Sequence, residues 1–124
     1  MTSIDDQYKA EIEAIMAEFY GNVSGPRGEE PRMNDDSRIF HADALLGRTS
    51  YREGDPPEPY LRMMTLAEHS DQARPVLVNM DFWEVETGRE CFFYRNIAQV
   101  ISHYDAYGDP GGKTLIKRGV NLLL

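Results

Sequence analysis

The chain has 124 residues, one cysteine and a formal charge of -8, from 21 acidic against 13 basic side chains. That length suits a single domain over residues 1–124, and 41% hydrophobic with 27% charged residues is the ordinary composition of a globular fold. The acidic balance repels phosphate backbones and anionic headgroups, which argues against nucleic acid and membrane surfaces as partners.

Cys91 has no second thiol to pair with and lies in an apolar run, as a reduced, buried cysteine would. The first twenty residues scatter acids among their apolar positions, unlike a signal peptide. No run approaches the roughly 20 apolar residues needed to span a bilayer. A cytoplasmic location is therefore expected.

From Ile4 the apolar residues Ile4, Tyr8, Ile12, Ile15, Met16, Phe19 and Tyr20 recur three and four apart, which predicts an amphipathic helix. Ser3 is its natural N-cap, Asp6 sits at the third turn position, and Gly21 is placed to end it. Residues 22–38 are polar and proline-containing and read as a loop. "SRIFHADALLGRTSY" reads as a helical turn leading into a strand over 44–51, followed by a second loop at "REGDPPEP".

"TLAE" at Thr65 to Glu68 is a capping box, predicting a short helix over 66–74 that Pro75 closes. The period then changes to two. "VLVNMDFWEVE" from Val76, a turn at Thr87-Gly88, "ECFFYRNIAQVISHYDAY", a turn at "GDPGG" and "KTLIKRGVNLLL" describe an antiparallel meander. Helices first and sheet second predict an α+β domain with the helices covering one face of the sheet. The apolar ending "NLLL" leads to the expectation that at least one further strand follows.

The long first helix, "IFHADALL", "FWEVE", "YRNIAQVISHYDAY" and "KRGVNLLL" together resemble the nuclear transport factor 2-like superfamily, especially its SnoaL-like members. The resemblance implies a curved antiparallel sheet with N-terminal helices on its concave face, forming a cone-shaped barrel around an apolar cavity. It also implies a homodimer through the outer face of the sheet, and a last strand beyond Leu124. One departure is Arg95, where the family's strand usually has Gly. Another is Arg48, which stands near the place of the ketosteroid isomerase base and cannot act as one.

Alternation along the strand puts Ala98, Val100, Ser102 and Tyr104 on one face, and Gln99, Ile101, His103 and Asp105 on the other. The small Ala98 and Ser102 suit the side beneath the helices, so Val100, Ser102 and Tyr104 are expected to line a ligand site. Tyr20, Phe40 and Trp83 join them as amphipathic walls, with Tyr20 the favoured donor.

The candidate catalytic residues are Asp43 and His103. A carboxylate at an apolar rim has a raised pKa and can move protons beside a carbonyl, whereas the competing role for Asp43 is a corner cap. An imidazole titrates near neutrality and suits a general base, whereas an outward His103 is an ordinary surface or interface residue.

His41, His69 and His103 show no metal-ligand spacing, no GxSxG elbow is present, and the "GDPGG" glycines precede no helix. Neither metal nor cofactor is expected. The reading that results is a domain binding a small hydrophobic molecule. The alternatives are a cofactor-free enzyme of the polyketide cyclase, dehydratase or isomerase type, and a non-catalytic dimerisation module.

Overall fold

A computed structural model describes residues 3–32 and 38–124. Part of the expected loop, residues 33–37, lies outside the described residues. Ser3 caps the first helix as predicted, its Oγ accepting the Asp6 N–H at 3.1 Å. This helix, α1, spans Ile4–Val23 and passes through Gly21, because Ser24 supplies the cap instead. The Ser24 N–H donates to the Gly21 carbonyl and its hydroxyl to the Tyr20 carbonyl. Met16, Tyr20 and Asn22 are buried, while Ile4 stays exposed at the free end.

The first strand, β1, covers Leu45–Arg52 and pairs with β2, Glu58–Thr65, in an antiparallel ribbon from Leu45 opposite Thr65 to Arg52 opposite Glu58. The second strand was hidden in the sequence because Pro59 reads as a loop residue. In a two-stranded ribbon both strands are edges, where a missing donor is tolerated. The capping box forms reciprocally between Thr65 and Glu68, with both bonds at 3.2 Å.

The second helix, α2, runs Leu66–Leu77 and is not closed by Pro75. A proline near a helix end removes only its own donor, and the Val78 N–H still reaches the Arg74 carbonyl at 3.0 Å. Residues 76–80, read as the start of a strand, therefore belong to the end of α2 and the turn behind it.

Three strands follow, β3 over Trp83–Tyr94, β4 over Ile97–Tyr107 and β5 over Leu115–Leu123, in spatial order β3-β4-β5 and antiparallel throughout. Thr87-Gly88 is not the turn that glycine suggested. It is a bulge, where pairing steps from Glu86 opposite Tyr104 to Gly88 opposite His103. The hairpin turns instead at Arg95-Asn96, with Arg95 in the left-handed region at φ 53°. Arg95 thus takes a backbone conformation that glycine adopts more readily than any other residue.

The fold is α+β, but the strands form two sheets, neither of them closed. The single sheet bent into a cone that the resemblance implied is not what the ladders show. Helix α1 crosses one face of the three-stranded sheet, from Tyr8 stacked on Phe93 at 6.3 Å to Tyr20 tilted against Tyr104 at 6.0 Å. Beneath it Met16, Val100 and Ala106 are buried. The opposite face leaves Val85, Phe92, Tyr94, Ile97, Val120 and Leu122 exposed. No helix among the described residues is long and apolar enough to cross a membrane.

Candidate functional site

Side chains alternate along a strand, so Glu84 and Cys91 would face opposite sides of a regular β3. The extra residue at the bulge restores them to one side. Inner-face rows run Cys91, Val100, Leu123; then Arg89, Ser102, Asn121; then Glu86, Tyr104, Gly119; then Glu84, Ala106, Lys117. The bulge therefore turns two carboxylates under the C-terminal end of α1.

A hydrogen-bonded chain links these rows. Ser102, fully buried, donates to Glu86 Oε2 at 2.6 Å, and its Oγ lies 2.6 Å from the Tyr20 hydroxyl. An ionised carboxylate only accepts, so the Ser102 proton points to Glu86 and Tyr20 must donate to Ser102. Asn121 Nδ2 in turn donates to the Tyr20 hydroxyl at 3.2 Å. Arg89 closes the chain on Glu86, with Nε 3.0 Å from Oε2 and a short second contact from Nη2 to Oε1. Every donor runs one way, toward Glu86.

The two carboxylates have opposite electrostatics. Burial alone would raise Glu86, but hydrogen bonds from Arg89 and Ser102 and the Arg89 charge hold it below its ordinary range. Glu84 lacks that support. Burial pushes it up to about 7, opposed only in part by Lys117 across Ala106. The Lys117 ammonium stands 6.0 Å from the ring centres of both Phe82 and Tyr104. Burial also raises the phenols of Tyr20 and Tyr104, the latter further through Glu84 and Tyr20. Tyr104 lies across Gly119, where any Cβ would overlap its ring.

An acid that titrates at neutral pH, a protonated phenol and an ammonium thus meet at one end of the inner face. Two carboxylates with pKa values driven apart divide the roles of proton carrier and fixed charge.

The residues expected from sequence are partly gathered here. Tyr20, Ser102 and Tyr104 come together, with Val100 buried one row beyond Ser102. Phe40 meets Phe19 edge to face, at 6.0 Å between ring centres. Trp83 faces a separate cleft of about 590 Å³, lined also by Val23, Pro26, Glu29 and Leu77. Asp43 neither lines the site nor caps a helix: its side chain is 94% exposed, 4.0 Å from His41. His103 is exposed on the outer face, and Asp105 beside it bonds Tyr107 and Arg118.

Glu84, Glu86, Arg89, Lys117 and Asn121 were missed. Period-two reading of "FWEVE" sends Trp83 and Val85 inward and both glutamates to solvent, the reverse of the observed arrangement. The signal was Gly88 inside a strand-like run, a common mark of a bulge. Among the described residues no three His, Cys, Asp or Glu side chains group as metal ligands. No protein-family model, curated protein or solved structure matches the chain.

Proposed function

We propose that this domain binds a small carbonyl compound against the inner face and catalyses cofactor-free proton transfer on it, with Glu84 as the general base. The observation that carries the reading is the pair of carboxylates two residues apart on β3, one pushed up to about 7 and the other held low by Arg89. In the forward step the C–H bond next to the carbonyl breaks, its proton passes to a Glu84 oxygen, and the electron pair moves onto the carbonyl oxygen. The Tyr104 hydroxyl and the Lys117 ammonium stabilise that developing charge. Glu86 takes no proton; with Arg89, Ser102 and Tyr20 it fixes the floor of the site.

Glu84 takes the acid–base role here in preference to Asp43 and His103. The test is loss of deuterium from the α-carbon of a labelled aryl ketone, followed by NMR. Exchange above buffer is expected, reduced about a hundredfold or more in Glu84→Gln. Exchange that survives this substitution intact removes the proposal.

The exposed apolar outer face of Val85, Phe92, Tyr94, Ile97, Val120 and Leu122 supports a homodimer through the sheet. Sedimentation velocity should show twice the chain mass, halved by Leu122→Glu; a monomeric parent protein counts against the dimer.

A further inference from the structure

The hairpin carries a charge pattern that the inner-face network does not use. Its register sets Arg48 directly opposite Arg62, on the same face as the buried Met64. Like charges facing each other across a ladder are unfavourable. Four residue pairs along, Arg52 stands opposite Glu58, the arrangement a ladder favours.

Acids outnumber bases 21 to 13, and Arg38, Arg74, Arg89 and Arg118 all pair with carboxylates. Among the described residues Arg48 and Arg62 do not. Arg62 turns its guanidinium to the side-chain amide of Gln72, a neutral group that offers its oxygen to Nη1 at 3.1 Å once the amide is oriented by its hydrogen bonding. Arg48 is exposed, with no carboxylate partner among the described residues, and its charge opposes the upward push of burial, Glu84 and Tyr20 on the Tyr104 phenol.

Resting on the function proposed above, the geometry points to an anion subsite in which Arg48 and Arg62 hold the carboxylate of a small oxo acid whose carbonyl end reaches Tyr104 and Glu84. A guanidinium is the side chain suited to this, because its planar fork matches a carboxylate and it is always charged. The bound anion relieves the repulsion between the two arginines. It also selects oxo acids over uncharged ketones of the same shape.

The test compares phenylpyruvate with phenylacetone, which lacks the carboxylate, in titrations that follow the arginine Nε–Hε resonances. Phenylpyruvate should shift Arg48 and Arg62 and bind about tenfold tighter or more. Arg48→Gln should erase that preference by weakening phenylpyruvate binding, and Arg48→Lys should restore part of it. Glu84→Gln should keep the preference, so failure of the proton-transfer reading is distinguishable from failure of the subsite. Equal affinity for the two compounds, a preference that survives replacement of both arginines by Gln, or no binding of phenylpyruvate at millimolar concentration overturns the subsite. Shifts from inorganic phosphate without any from phenylpyruvate overturn it as well.

Discussion

Between about pH 5 and about pH 8 the protein should lose about 2 kcal/mol of unfolding free energy, and Glu84→Gln should abolish most of that loss. Glu84 rises from an ordinary 4.5 to about 7 on folding. The folded state therefore binds the proton more tightly than the unfolded chain does. The stabilisation is complete below the unfolded value and disappears as pH climbs through the folded one. A full shift of that size corresponds to about 3 kcal/mol, reduced because Glu84 keeps some contact with solvent and with Lys117.

Glutamine keeps the shape and cannot ionise, so the variant should match the parent protein near pH 5 and exceed it near pH 8. Denaturant titration of both proteins at the two pH values reads this difference directly. Other titrating groups are common to the two proteins and cancel. Parallel pH curves would mean that Glu84 is solvated and ordinary, and the proton-transfer proposal would lose its base.

Arg89→Met should destabilise the domain by about 2 kcal/mol at neutral pH, and by clearly less near pH 4. Removing one partner of an enclosed ion pair costs more than the pair contributes, because the remaining charge stays desolvated. Here the two side chains are 23% and 18% exposed, so the penalty is smaller than for a fully buried pair. Burial is the largest influence on Glu86, and without Arg89 it pushes the carboxyl upward.

The depressed Glu86 of the parent protein contributes stability above its unfolded pKa and loses it as pH falls through the folded value. The variant lacks that contribution, which is why the two proteins converge in acid. Adding Glu86→Gln to Arg89→Met should recover part of the loss, since no unpaired charge then remains. Thermal or denaturant unfolding of the four proteins in this cycle measures the coupling. Strict additivity would show that the pair is only a surface contact.

Those effects depend on Glu84 and Glu86 facing inward, and that fact was not legible in the chain. The first helix was, because seven apolar residues at helical spacing allow one buried stripe and Ser3 accepts the Asp6 amide as expected. The capping box at Thr65 was equally plain, since its partners are three residues apart. Tyr20, Ser102 and Tyr104 were also placed on one surface, by the spacing of a helix and by alternation in a strand.

Three of the errors lie where a local signal had two structural meanings. Glycine at position 88 marks a turn or a bulge, Pro59 a loop or an edge strand, and Pro75 a stop or a late helical turn. Only pairing with β4 chose the bulge, and that one inserted residue reversed which side chains of "FWEVE" enter the core.

The chain alone carried the α+β class, the two helices with their N-caps and the face of β4 that holds Ser102, because each follows from contacts within a few residues. Only the tertiary structure settled that the strands divide into two sheets, that Glu84 is half-buried beside Lys117, and that Arg48 and Arg62 stand opposed. Those outcomes depend on strand register between distant segments, and register flips or preserves a whole face with a single residue.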